Sequence, residues 1–304
     1  MDRRINNGLI FIMAFDMLSA AQSVWLGSLL QGVPVKHSLL AIFSIVAGFF
    51  LLLTFYRRDP WPPLDKQRLM LFAGLNLGTL ATWLFLYESL RFVEPAMTAA
   101  VLYGANPIAT LLITLILAGS LRGLTMGRFL VGIATVASMW MVAHTVLQGN
   151  SGMGRQDSET SLYGLLMALL TGCAMALVNV ISKRIYDQGY KLHQLMSMRF
   201  FLLIAVCAFY SQGIGETLVH SGWAFLIIAL LGNVVPLYCL QKGISMSEPA
   251  LVSYVLLLTP ILVFVFQLFD NRLILSGYSI LAIAVVLFFA MLGLKVERQA
   301  LQKQ

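Results

Sequence analysis

The sequence predicts an all-α integral membrane protein of ten transmembrane helices, and three observations lead there. Hydrophobic residues make up 59% of the 304-residue chain and charged residues only 11%, a balance foreign to soluble domains. Apolar runs near the roughly 20 residues that cross a ~30 Å hydrocarbon core recur along the whole chain. The basic residues gather at alternate connections between them. Lipid offers no partner to backbone N–H and C=O groups, so these runs must be helical, and they are too long and too evenly apolar for barrel strands.

In order, the spans run Gly8 to Leu30, Ser38 to Tyr56, Leu69 to Leu90, Pro95 to Ala118, Phe129 to Leu147, Leu162 to Ile181, Leu192 to Tyr210, Trp223 to Leu240, Pro249 to Phe269 and Leu273 to Leu294. Ten crossings bring both termini to one side. That side collects Arg3, Arg4, Arg57, Arg58, Lys66, Arg68, Arg122, Arg128, Lys183, Arg184, Lys191, Lys242, Lys295, Arg298 and Lys303. The other receives Lys36, Arg91, Arg155 and Arg272, while Arg199 falls inside a span. By the positive-inside rule both termini are cytoplasmic and the protein belongs to the cytoplasmic (inner) membrane. The net charge of +7 reads as topology and contact with lipid headgroups, with no nucleic-acid partner.

Arg3-Arg4, the apolar run after them and Leu18-Ser19-Ala20-Ala21 imitate a cleavable signal peptide. The run continues to Leu30, past the length of a signal's apolar region, and is expected to be the first span. Cys173, Cys207 and Cys239 all fall in apolar spans without metal-like spacing, so they read as packing residues, and neither a disulfide framework nor a cofactor is implied.

The first half of the chain is rewritten in the second. Leu86-Tyr87-Glu88-Ser89-Leu90 through Glu94-Pro95-Ala96 overlays Leu240-Gln241-Lys242-Gly243-Ile244 through Glu248-Pro249-Ala250, and Gly78-Thr79 falls on Gly232-Asn233. Asn106-Pro107 pairs with Thr259-Pro260 after a one-residue slip, and Lys36-His37 corresponds to Lys191-x-His193. Each half holds five spans, an odd number, so the second half enters the membrane upside down, the inverted-repeat plan of many secondary transporters. The divisions are a first five-helix repeat over residues 1–147, a polar hinge-like linker over 148–160, and a second five-helix repeat with a cytoplasmic tail over 161–304. Inversion places Glu88 and Lys242 near opposite faces, too far apart for an ion pair.

These features resemble the drug/metabolite transporter superfamily, in particular its ten-span EamA-type exporters. The resemblance rests on Leu86-Tyr87-x-Ser89-Leu90, the small-residue helix start after it, Pro107 and its repeat at Pro260, Met198-Arg199-Phe200-Phe201, and Cys173-Ala174-Met175-Ala176 leading to Ser182-Lys183-Arg184. It covers about residues 8 to 294. The first span carries Asp16 where the family commonly has a Trp-Gly pair, and the second span lacks an equivalent of Arg199. The resemblance implies a central cavity walled by spans one, three, four, six, eight and nine, with Arg199 on a flanking span in a scaffolding role.

Polar residues inside spans are costly, so their helical faces are informative. Asp16 lies about eight residues, or roughly 12 Å, inside the first span, with Ser19 and Ser23 on its face. A carboxylate at that depth costs about 2.5–3.5 kcal/mol on insertion scales; it is the candidate for proton coupling, and a buried Asp capped by hydroxyls or paired with Arg199 is the structural alternative. In the third span Asn76, Thr79, Trp83 and Tyr87 form one stripe, matched in the eighth by Asn233 and Gln241. Tyr103, Asn106 and Thr110 share a face in the fourth span, where Pro107 frees the carbonyl of Tyr103. Pro260 stands near Ser253 and Tyr254 in the ninth, and Asn179 in the sixth aligns with Ser23. The substrate-binding candidates are therefore Ser19, Ser23, Asn76, Thr79, Trp83, Tyr87, Tyr103, Asn106, Asn179, Asn233, Gln241 and Tyr254. Each could equally serve an interhelical hydrogen bond, worth about 0.6 kcal/mol. Gly74 with Gly78, and Gly123 with Gly127, have the spacing of close helix packing.

No enzyme chemistry is apparent. Gly149-Asn150-Ser151-Gly152 matches the GxSG pattern of intramembrane serine proteases but lies in the polar linker. His37, His144, His193 and His220 are scattered toward span ends, without metal-ligand spacing. The expectation is a proton-coupled exporter of a small amphipathic metabolite, an amino acid or related compound, working by alternating access, with lipid as its surroundings and a homodimer compatible with the sequence. The alternatives are uncoupled exchange or uptake of an anionic or nucleotide-linked solute gripped by Arg199 or Lys242, and a non-transporting membrane scaffold.

Overall fold

A computed structural model describes residues 3–63, 65–118, 126–153, 157–274 and 276–302. Arg122, Gly123, Arg155 and Lys303, used above, lie outside them. Helix dominates, and no strand occurs among the described residues. The helices are α1 (Arg3–Leu29), α2 (Val35–Arg57), α3 (Lys66–Phe92), α4 (Pro95–Ala118), α5 (Met126–Leu147), α6 (Ser158–Asp187), α7 (Leu192–Met198), α8 (Phe201–Tyr210), α9 (Ile214–Ile227), α10 (Val235–Met246), α11 (Pro249–Leu256), α12 (Thr259–Gln267) and α13 (Gly277–Gln302), with a π-helical segment, Ile228–Val234, joining α9 to α10. Among the described residues nine stretches are long and apolar enough to cross a membrane. A tenth apolar helix, Gly277–Gly293, is shorter.

Local chemistry sets the ends. Arg58 closes α2 in the left-handed region (φ 52°) and Pro60, Pro62 and Pro63 prevent its continuation. Asp65 opens α3 by accepting from the Arg68 backbone N–H (2.8 Å). Pro95 and Pro249 occupy the first helical positions of α4 and α11, where a missing N–H costs nothing.

Three spans are not the uniform helices that hydropathy implies. The seventh breaks between α7 and α8, the eighth widens into a π turn, and the ninth breaks at Leu257-Leu258, so that Pro260 begins α12. Pro107, by contrast, sits inside the unbroken α4.

Packing is dominated by contacts between the two halves. α6 lies against α3 and α4, α1 against α10 and α12, α2 against α7 and α8, α4 against α11 and α12, and α5 against α13. Small residues set these distances. Cβ atoms added at Gly74 and Gly78 would come within 3.0 and 2.9 Å of Ile181 and Val178 on α6, and one at Gly172 would run into the Leu102 carbonyl of α4. One apolar core joins α4, α5, α11 and α13 to parts of α1 and α6; a second joins α2, α3, α7 and α8 to the π segment and the end of α1. Phe55, Trp140 and Val219 point outward, as side chains facing hydrocarbon should.

Candidate functional site

Where the two cores meet, the structure leaves a cavity of about 50 Å³. One water needs about 10–15 Å³, so the space holds a few waters and no larger solute in this conformation. Its walls come from α1, α3, α4, α6 and α10, the spans numbered one, three, four, six and eight. The ninth span, expected among them, supplies no wall residue; Thr259 at its break stands behind the wall, against Asp16.

Of the candidate residues, Ser19, Ser23, Trp83, Tyr103 and Asn179 line the cavity. Asp16 is fully buried just outside it. Its Oδ1 accepts from the Thr259 hydroxyl (2.8 Å), which also reaches the Leu256 carbonyl (2.7 Å), and its Oδ2 has no partner. Thr259 is the first residue of α12, so the acid of the first span meets the ninth span at its break. The Tyr103 hydroxyl lies beside Asp16, Ser19 and Thr259 and links the acid to the cavity.

The third-span stripe divides. Asn76 donates to the Met198 carbonyl (2.8 Å) and accepts from the Leu202 N–H (3.2 Å), bridging the break between α7 and α8. Thr79 accepts from Arg199 Nε (3.3 Å), and Tyr87 is buried beside Phe43 and Trp83 with its hydroxyl unpartnered. None of the three lines the cavity. Asn106 accepts from Thr110 (3.1 Å) and Ser253 (2.8 Å), joining α4 to α11 away from the cavity. Asn233 donates to the Ile228 carbonyl (3.0 Å) within the π turn, and Gln241 accepts from the Tyr186 hydroxyl (2.8 Å). Tyr254 packs against Gly293 of α13. Arg199 stacks on Phe200 (5.2 Å) and reaches toward Met196; it does not line the cavity, and the partner of Asp16 is Thr259 instead.

Sequence reasoning passed over Gln22, Thr82, Thr98 and Thr171, all cavity wall residues. Gln22 was detectable, since it follows Ser19 by three on the same face. A second polar cluster closes one end of the bundle. Glu94, buried between the third and fourth spans, accepts from Gln267 Nε2 (2.6 Å), Ser279 Oγ (3.3 Å) and the Gly152 N–H, while Gln267 Oε1 accepts from the Ala96 N–H (2.8 Å). Burial pushes the Glu94 carboxyl above its ordinary value, and these hydrogen bonds pull part of the way back. The described part of the linker is thereby tied to the ends of α4 and α13.

Fold and site together define a polytopic helical membrane protein with a small central cavity, largely apolar and dotted with polar side chains. No family model matches the sequence, and no curated protein does. A solved structure described only as the crystal structure of a protein is similar over 97% of this chain and 98% of that chain, with a TM-score of 0.62 and 16% identity. At that identity the likeness is one of fold.

Proposed function

We propose that the chain is a secondary transporter of the drug/metabolite type, an EamA-like exporter of a small amphipathic metabolite such as an amino acid or related compound. Ten spans, arranged as two inverted five-helix halves, alternate access to the central cavity from the cytoplasm and the outside, with both termini cytoplasmic in the inner membrane. Two features support this arrangement. Exchanging the halves maps the main helix pairings onto one another: α3 with α6 becomes α10 with α1, α4 with α6 becomes α12 with α1, and the pairs α2 with α7, α4 with α12 and α5 with α13 map to themselves. Connections assigned to one face also meet: Asp59 pairs with His193 (3.2 Å) and Gly8 abuts Ser247 on the basic side, while His37 bonds Thr217 (2.8 Å) and Glu94 bonds Ser279 on the other.

The observation that carries the functional reading is Asp16: a buried mid-span acid at a helix break, one oxygen unpartnered, with Tyr103 between it and the cavity. The Thr259 hydroxyl caps one oxygen, as a purely structural acid would require, but the second oxygen is left without a partner at a depth where a carboxylate is costly. A proton moved through 100 mV supplies about 2.3 kcal/mol, and a protonated Asp16 and an occupied cavity disfavour one another through Tyr103. The repeat mates Glu94 and Glu248 differ in keeping with alternation: Glu94 is buried and clamped, Glu248 is exposed. In this reading the Glu94 clamp belongs to the outer end and holds it shut. The test compares metabolites in medium and cytoplasm with and without the protein, then measures flux of any compound that changes. Asp16→Asn should abolish uphill export in reconstituted vesicles while the protein remains folded; undiminished uphill export removes the coupling role.

A further inference from the structure

The polar groups of the cavity wall fall into two classes. The hydroxyls are largely committed to carbonyls of their own helices: Ser23 to Ser19 (2.8 Å), Thr82 to Gly78 (2.7 Å) and Thr171 to Met167 (2.8 Å), while Thr98 pairs with Ser89 (3.1 Å). The amides and the indole are not. Gln22 Nε2 on α1, Trp83 Nε1 on α3, and both Nδ2 and Oδ1 of Asn179 on α6 are buried without any partner. A buried amide left unpaired is strongly disfavoured, and here three helices bring such groups to one space. Gly232 in the π turn holds one of them in place: a Cβ there would come within 2.9 Å of Gln22 Cγ, so the glycine lets the glutamine stem lie flat against the turn.

Of equal weight is the charge. Among the described residues no Asp, Glu, Lys or Arg lines the cavity, and the nearby acid, Asp16, stands beside Tyr103 outside the wall. An ammonium in this space has no wall carboxylate to meet, and a carboxylate has no wall cation; either would give up its hydration without a counter-charge. A carbonyl oxygen, in contrast, can accept from an unpartnered N–H of Gln22, Trp83 or Asn179, and an adjacent N–H can donate to Asn179 Oδ1. Phe15, Leu86 and Met175 complete the wall with apolar surface for the remainder of the molecule.

We infer that the cavity binds an uncharged solute through a carboxamide-type edge, an acceptor carbonyl beside an N–H, as in a primary amide, a lactam or an amide-capped amino acid. The inference rests on the transport reading of the cavity and narrows its substrate class: within amino acids and related compounds it selects those whose charges are masked. Gln22, Trp83 and Asn179 are the specificity-determining residues, and the walls must part to admit the apolar body.

The test is calorimetric titration of the purified full chain at neutral pH with phenylacetamide, phenylacetate and phenethylamine, which share one ring and differ in head group. Phenylacetamide should bind at least about tenfold more tightly than either ion, the scale of one buried hydrogen bond gained. Asn179→Leu and Gln22→Met, both close in shape to the native residues, should each remove most of that preference while leaving the melting temperature unchanged or raised, because an unpaired buried amide is lost. Equal or tighter binding of an ion, absence of heat from all three probes at millimolar concentration, or a preference that survives both substitutions would overturn the inference. Failure of the transport reading looks different: an amide preference without any compound whose distribution depends on the protein leaves the site standing and the transporter refuted, and export of charged compounds without an amide preference does the reverse.

Discussion

Replacing Glu94 by alanine removes the acceptor shared by Gln267, Gly152 and Ser279. The Gln267 amide at 2.6 Å and the Gly152 N–H are the close contacts, and Ser279 at 3.3 Å is weak. Each buried donor left unpaired costs about 1–3 kcal/mol, which gives about 2–6 kcal/mol for two. The cluster lies at the end of the bundle, where water can replace part of what is lost, so the lower figure applies. About 2 kcal/mol corresponds to roughly a 30-fold shift in a local opening equilibrium. The Gly152 carbonyl accepts from the Ile274 N–H (2.9 Å), so both ends of the clamp report through their amides. Hydrogen exchange at Gly152 and Ile274 should accelerate about 30-fold in Glu94→Ala, with α2 and α7 unaffected. Unchanged exchange at both amides would mean that the carboxylate does not hold the linker, and the clamp would have to be abandoned.

Three further outcomes follow from the same contacts. The Glu94 carboxyl is raised above 4.5 by burial, whereas an opened end would hydrate it and return it to that ordinary value. The closed state therefore takes up a proton. Closure is favoured below the raised value and weakens as pH climbs from 4.5 through it, so exchange at Gly152 should rise with pH beyond its intrinsic dependence, and Glu94→Gln should flatten that excess. Asn76→Leu deprives the Met198 carbonyl and the Leu202 N–H of their partner; thermal unfolding should show a loss of about 2–6 kcal/mol, and a loss below about 0.5 kcal/mol would show that water or backbone movement repairs the break. Gly172→Ala forces a methyl group into the Leu102 carbonyl, so α4 and α6 must separate. A drop of about 2 kcal/mol or more is expected, against the small gain that alanine brings to an unconstrained helix position.

Much of the helical architecture could be read from the sequence because lipid leaves the backbone so few choices, and Gly74 and Gly78 marked a packing face that the structure places on α6. The breaks in spans seven and nine leave only faint marks, Arg199 at the first and Pro260 just after the second, and each is compatible with a continuous membrane helix. The stripe from Asn76 to Tyr87 shows a limit of periodicity. It fixes the direction in which side chains point along a helix, but the neighbour met in that direction changes with depth: Asn76 meets the seventh-span break, Thr79 meets Arg199, and Trp83 meets the cavity. Glu94 stood out as a repeat marker, yet its burial depends on Gly152, Gln267 and Ser279, which lie 58 to 185 residues away in the chain. No local pattern signals such a cluster. The break at Thr259 likewise gives Asp16 a hydroxyl partner that the first span does not reveal.

Alternating access to the central cavity is tested most directly by labelling a cysteine placed at Ser23, a wall residue, in a background in which Cys173, Cys207 and Cys239 are replaced. A membrane-impermeant thiol reagent is applied in turn to right-side-out and inside-out vesicles. If the two halves rock about this cavity, the site reacts from both faces, and locking the outer end closed abolishes reaction from the outside only. Reaction from neither face, or from both at once when the outer end is locked, would contradict it.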